Sequence, residues 1–512
     1  MVKRIKSMGI YGMNAFAVDV ETDISKGMPT FDIVGMPDTS IKESRGRVRS
    51  AIMNCGFEFP LRHIVVNLAP ADIKKAGSIY DLPILISILN ASGTLKCDIS
   101  DSAFIGELSL SGDVRPVNGV LPMAIKAREC GIKKFFVPAE NASEGAVFDG
   151  IEIYPVSHVT ELIKHLRQGS LISPAPHQKP SAEALIYNFD ISDVKGQFTA
   201  KRALEIAACG GHNMLMIGSP GTGKSMLAKR LPTILPDMTF NEMIETTKIH
   251  SIAGILPADS PLVTHRPFRA PHHSASYSAI IGGGQNLSPG EITLAHRGIL
   301  FMDELPEFRR DIIEALRQPL EERKIALSRA NNKIIYPADI MLIAAMNPCP
   351  CGYYGSPNRK CNCDLRQVIN YRKKLSGPLL DRIDMTIPVS RPNKSVLLKT
   401  TTISTHEHAN AKIQITRARK RQFERYKYIT KHNASLSSTE IVKYIKLSNP
   451  AKHYLDSAAE KYNLSARAYF KTIKVARTIA DLDEENHEIL SKAHILEALL
   501  YRDRSLYAST ES

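Results

Sequence analysis

The chain has 512 residues, more than one ordinary hydrophobic core holds, so two or three domains are expected. With 43% hydrophobic and 23% charged residues it falls among folded globular chains and outside the disordered and fibrous classes. The net charge is +14, and residues 391–512 hold 22 Lys and Arg against 13 Asp and Glu, a net +9, which favours a polyanionic partner such as nucleic acid over an inert basic surface.

The N-terminus, Met1-Val-Lys-Arg-Ile-Lys6, has no apolar run behind it, so a secretory signal is not expected. The most apolar stretch, Leu82 to Leu89, is far shorter than the ~20 residues a membrane span needs. A cytoplasmic protein without membrane contact is the expectation. Residues 1–168 alternate strand-like segments (Ala17–Val20, Phe31–Val34, Ile64–Leu68, Gly106–Leu110, Lys134–Pro138) with helical ones (Ser40–Met53, Leu82–Leu89, Gly119–Cys130). This predicts an α/β domain. Residues 169–187, rich in proline and small polar residues, read as a linker. A second α/β unit is expected over 188–392. Residues 393–512 carry apolar positions at helical spacing, as in Ala466 to Leu482, and read as an all-helical module.

The second unit carries the chemistry. An apolar strand, Met214 to Ile217, runs into Gly218, Ser219, Pro220, Gly221, Thr222, Gly223, Lys224 and Ser225, and a helix continues through Met226. Strand, glycine-rich loop and helix N-terminus let backbone N–H groups converge on phosphates. Lys224 is the expected contact to the β- and γ-phosphates of ATP, and the Ser225 hydroxyl a ligand to Mg²⁺. Next, Ile299 to Met302 form a buried apolar strand ending in Asp303 and Glu304. Asp303 would hold the Mg²⁺ shell and Glu304 would polarise the attacking water. A third apolar strand, Ile340 to Met346, ends in Asn347, a candidate sensor of the γ-phosphate. Arg382 and Arg467 are candidate partners for charge on the transferring phosphoryl group. Taken singly, each arginine is more commonly explained by a surface ion pair.

The order of these motifs, with Phe268-Arg-Ala-Pro-His-His-Ser274 and Asn347-Pro-Cys-Pro-Cys351, resembles the ComM/YifB group of magnesium-chelatase-like AAA+ ATPases. The resemblance implies a hexameric ring. In it Arg382 would reach a neighbour's site as an arginine finger, and Arg467, on a C-terminal helical lid, would be the second sensor. Val194 and Gly196 match the segment that packs around adenine. It also implies two insertions in the ATPase core, a Gly-rich one over Pro271–Thr293 and a hairpin over Lys324–Ile335. Alternation around Asn331-Asn332 independently supports the hairpin. Arg329 and Lys333 flank its tip and are candidate DNA contacts, against the alternative of solvated turn residues. ComM-type members are branch-migration helicases, so DNA is the implied partner. The alternative is a chelatase-type motor that remodels a partner protein. No integrin-like Asp-x-Ser-x-Ser module, which such a chelating partner would carry, is identified.

Phe104 to Val117 resembles the Lon-protease fold (ribosomal S5 domain 2-like). The protease serine position aligns with Ile79 and its lysine position with Met123, and Ser78 has no lysine base, so a non-proteolytic domain is expected.

Cys55, Cys97, Cys130 and Cys209 read as inert core residues. Cys349, Cys351, Cys361 and Cys363 form two C-x-C pairs in a 348–364 insertion and match a structural Zn²⁺ shell, with disulfides as the alternative. The pair His272-His273 is assigned to the first insertion, facing DNA or a neighbouring subunit.

Overall fold

The computed structural model describes residues 3–169, 172–177, 190–257, 260–284, 287–329, 332–356, 359–391, 405–428, 431–485 and 487–502. The chain forms two compact units. The first comprises Met1–Glu183, Phe240–Thr264 and Ala330–Ile335, and the second Ala184–Thr239, His265–Arg329 and Tyr336–Ser512. The expected linker lies outside the described residues except at 169 and 172–177.

The first unit is built on a mixed sheet of β1 (Lys3–Tyr11), β2 (Asn14–Ser25), β3 (Thr30–Val34), β4 (His63–Ala69), β5 (Ser102–Phe104), β6 (Lys134–Pro138) and β7 (Glu152–Val156), ordered β3-β4-β2-β1-β5-β6-β7. Alternate residues of a strand face opposite sides, so β1 serves two cores. Ile5 is buried with Val18, Ile41 and Leu82, and Met8 with Val120, Met123 and Phe135. Helices Thr39–Asn54 and Asp81–Ala91 cover the first face and Val120–Glu129 the second. The Thr39–Asn54 helix starts where Asp38 accepts the otherwise free N–H of Ile41 at 2.9 Å.

Three sequence expectations change here. The strand expected over Gly106–Leu110 shrinks to Glu107–Leu108, because Ser109 and Asp113 close a tight turn, Ser109 N donating to Asp113 O at 2.9 Å. Cys130 is exposed, since it ends the Val120–Glu129 helix and does not enter the core. The Asp-x-Ser-x-Ser spacing does occur, at Asp98-Ile-Ser-Asp-Ser102, but Asp98 caps its own turn by accepting Ser100 N–H at 3.0 Å and Ser102 is buried.

In the second unit β8 (Met214–Ile217), β9 (Phe268–Arg269), β10 (Ile299–Met302), β11 (Lys324–Arg329), β13 (Met341–Met346) and β14 (Met385–Pro388) follow in chain order, while β12 (Asn332–Pro337) belongs to the first unit up to Ile335. A five-stranded parallel sheet runs β9-β10-β13-β8-β14, while β11 and β12 form a separate hairpin. Every residue of β10 and β13 is buried, as a parallel sheet covered on both faces requires. Asn213 aligns three strand ends. Its side chain accepts Leu342 N–H at 2.8 Å and donates to Arg382 O at 3.1 Å, and its N–H donates to Asp384 at 3.2 Å. The residues after β14 form helices Thr405–Tyr426, Ser438–Tyr444, Asn449–Lys461, Ala466–Leu482 and Lys492–Leu500. One short parallel bridge, Lys446–Leu447 with Ile489–Leu490, departs from the all-helical expectation. Within this unit fully buried Arg477 is held by Asp481 at 3.0 Å, and Asp481 also takes Arg425 at 2.6 Å. Pairing of this kind is what makes buried charge tolerable.

Candidate nucleotide-binding site

The C-terminal ends of β8, β10 and β13 open on one cavity of about 340 Å³. Such strand ends are where open α/β sheets place ligands. The cavity is lined by Pro220 to Met226, Asp303, Glu304, Met346 and Asn347. Gly221 and Gly223 have φ of 74° and 88°, a backbone that glycine adopts freely, and helix Lys224–Ile234 starts directly behind them. The loop folds around its own lysine. Lys224 Nζ donates to Gly218 O at 2.6 Å, to Ser219 O at 3.1 Å and to Asn347 Oδ1 at 3.2 Å. Burial pushes the Lys224 ammonium below the ordinary lysine range, against the pull of Asp303 and Glu304. Ser225 Oγ donates to Asp303 Oδ2 at 2.6 Å. A hydroxyl and a carboxylate joined in this way are a suitable oxygen pair for Mg²⁺.

Glu304 follows on a left-handed backbone, φ 51°, and is about half exposed. His273 Nδ1 stands 3.6 Å from its Oε2, so this histidine faces the cavity's carboxylate. Val194 and Gly196 lie outside the cavity lining. Val194 is buried in the core with Ala200 and Leu227, and Gly196 turns the chain at φ 68°.

Arg382 and Arg467 do not line the cavity either. Arg382 is largely buried, donates to Pro378 O at 2.6 Å, and pairs with Glu321. Arg467 is exposed and stands 4.0 Å from the other oxygen of the same carboxylate. Glu321 therefore gathers two arginines from separate parts of the chain, which no local motif announced. Two other contacts were equally silent in the sequence. Gln197 Nε2 donates to Thr222 O at 2.7 Å and Arg391 Nη2 to Pro220 O at 2.9 Å, both bracing the phosphate loop from distant segments.

Comparison with known proteins agrees with this geometry. The magnesium chelatase subunit ChlI family matches residues 190–397, a second ChlI family 20–141, and the ChlI C-terminal family 406–502. The YifB protein of Escherichia coli K12 is 43% identical over 494 residues, covering 96% of this chain and 95% of that one. Competence protein ComM of Haemophilus influenzae is 42% identical over 509 residues, covering 97% of each. The chain belongs to the ComM/YifB group of magnesium-chelatase-like AAA+ ATPases. Membership implies ATP and Mg²⁺ as its ligands. A shorter match, 33% over 157 residues, joins 28% of the chain to 19% of the Lon protease of Brucella suis. In the Lon-like unit of this ComM/YifB-type chain, Ser78 Oγ donates to Glu107, Ile79 is partly buried against the core, and Met123 is fully buried.

Beside the nucleotide cavity, the four clustered cysteines of this member of the group form no disulfide, and their Sγ atoms lie within 4.8 Å of one another. Cys349 to Cys351, Cys351 to Cys361 and Cys349 to Cys361 are 3.4, 3.5 and 3.7 Å apart. A tetrahedral Zn²⁺ with Zn–S of about 2.3 Å sets its sulfurs about 3.8 Å apart, so the donors fit. Tyr354 N–H donates to Cys349 Sγ at 3.3 Å and Cys363 N–H to Cys361 Sγ at 3.4 Å. A larger groove of about 760 Å³ runs along β11, lined by Tyr277, Gly282 to Gly284, Arg317 and Arg329. It contains no phosphate loop. Arg329 is exposed and donates to Gly284 O at 3.1 Å, and Lys333 is exposed on β12. At the hairpin tip Ala330 and Asn331, with the Asn332 side chain, lie outside the described residues.

Proposed function

We propose that the chain is an ATP-hydrolysing ring motor, a homo-hexamer, that translocates on DNA and drives branch migration in recombination or transformation. The observation that carries the ATPase half is the meeting of Lys224, Ser225, Asp303, Glu304 and Asn347 in one cavity. Lys224 would exchange the Gly218 and Ser219 carbonyls for the β- and γ-phosphates. Ser225 and Asp303 would hold Mg²⁺, which neutralises charge developing on the phosphates. Glu304 would orient the attacking water, and Asn347 would bond the γ-phosphate in place of Lys224. Because Arg382 and Arg467 lie outside this chain's cavity, they would serve the site of a second copy, as a ring provides. Cys349, Cys351, Cys361 and Cys363 would hold one structural Zn²⁺.

The DNA half draws support from the positive charge of residues 391–512, from Arg329 in the large groove, and from the name of the Haemophilus relative, a competence protein. Proteolysis is disfavoured, since Met123 offers no base and the Ser78 hydroxyl is committed to Glu107.

The test is ATP turnover by the full chain alone, with single-stranded DNA, and with a branched junction. The expected result is stimulation of several-fold, largest with the junction. A rate indifferent to both would overturn the DNA reading and leave remodelling of a partner protein.

A further inference from the structure

The cysteine-bearing loop meets the phosphate-binding loop at one pair of residues. Gly352, next to Cys351, has φ 83°, which a residue with a side chain rarely adopts. A β-carbon added there would stand 2.6 Å from Cδ and 2.7 Å from Cγ of Pro220, and 3.8 Å from Cγ of Asn347. The knuckle's backbone is therefore pressed against the ring of a phosphate-loop residue. Pro220 cannot retreat freely, because its carbonyl is held by Arg391 at 2.9 Å. The knuckle is also anchored in the protein. Cys349 is fully buried, Arg372 Nε donates to Pro348 O at 3.5 Å, and its guanidinium lies 5.4 Å over the Tyr354 ring. Packed interiors transmit displacement and do not absorb it, and hydrogen bonds to phosphate weaken steeply when the donors turn away.

We propose that Gly352 is a positioning residue, seating the cysteine knuckle against Pro220 so that a folded knuckle sets the shape of the phosphate loop and hence its affinity for nucleotide. This rests on the nucleotide and zinc readings above. Zinc on the four cysteines would then act on ATP binding without touching ATP.

The chain supplies its own control. Gly355 lies in the same knuckle with φ 72°, but no atom stands within 4 Å of its would-be β-carbon. Three quantities are read on the full chain: zinc by elemental analysis, melting temperature, and affinity for a fluorescent ATP analogue. Gly352→Ala is expected to keep its zinc yet bind the analogue about tenfold more weakly, a change of about 1.4 kcal/mol. Gly355→Ala is expected to bind as wild type. Adding Pro220→Ala to Gly352→Ala removes the atoms that collide and should return affinity to that of Pro220→Ala alone. Removing zinc from the wild type with a chelator should reproduce the loss. Wild-type affinity in Gly352→Ala, or an equal loss in Gly355→Ala, would overturn the proposal. Should Gly352→Ala fail to fold, affinity unchanged by chelation would do the same. A wild type that binds no nucleotide, or holds no zinc, instead overturns the reading beneath, and in the zinc-free case Gly352→Ala still decides the contact.

Discussion

In the proposed mechanism Lys224 and Glu304 would divide the work of the site between holding and reacting. Lys224 is enclosed by carbonyls and an amide oxygen, so its charge is available to phosphate and to little else. Lys224→Ala should abolish nucleotide binding. Glu304 makes no such bond to the loop and stands half exposed at the cavity's mouth, so Glu304→Gln should bind ATP normally while turnover falls about 10²–10⁴-fold. Arg382→Ala should also be inactive, with its own cavity intact. Mixing the two inactive proteins should then restore turnover, because one supplies the glutamate and the other the arginine. Equilibrium binding and steady-state hydrolysis measure all three, and a mixture that stays inactive refutes the shared site. Lys224, Glu304 and Asn347 were legible as the lining of one cavity because each lies just beyond an apolar strand, where sequence neighbours are also spatial neighbours. Glu321, Gln197 and Arg391 were not. Each acts on a residue 25 to 171 positions away, and nothing local distinguishes them from solvated side chains.

At the level of elements, periodicity located the strands and helices well and their ends poorly. The apolar runs of β8, β10 and β13 were plain, whereas the Lys446–Leu447 bridge is too short to leave a period. The β11–β12 hairpin was readable from its alternation, with Ile325 and Leu327 buried and Lys324 and Ser328 exposed. The DNA contact proposed for it would rest on charge. Arg329 has no carboxylate partner among the described residues, only a carbonyl, which leaves its charge uncompensated for a phosphate. Arg329→Ala with Lys333→Ala should weaken DNA binding alike for every sequence and flatten the slope of log affinity against log salt by about two. ATP turnover without DNA should persist. An unchanged slope, read by titration at several salt concentrations, would remove the hairpin from DNA contact and direct attention to residues 391–512.

For the molecule as a whole, the notable arrangement is that the first unit is discontinuous. Helix Phe240–Ile252 and the residues to Thr264 lie in sequence between the phosphate loop and β9, yet Ile244 and Leu262 complete a core with Leu121 and Val147. Composition placed a boundary near the proline-rich stretch, and local pattern could not show that a later segment returns across it. A polypeptide beginning at residue 184 would uncover Ile244 and Leu262, each costing about 1.5–3 kcal/mol of lost burial. It should elute from a sizing column as aggregate, while the full chain does not, and a well-behaved fragment would contradict the shared core. The consequence reaches beyond protein preparation to inheritance. A crossover between two genes of this group at the codons of the proline-rich stretch would join Leu121 and Val147 from one parent to Ile244 and Leu262 from the other. The two halves of such a gene are free to diverge only where those four side chains still fit, so the ATPase and its N-terminal companion descend as one unit of selection.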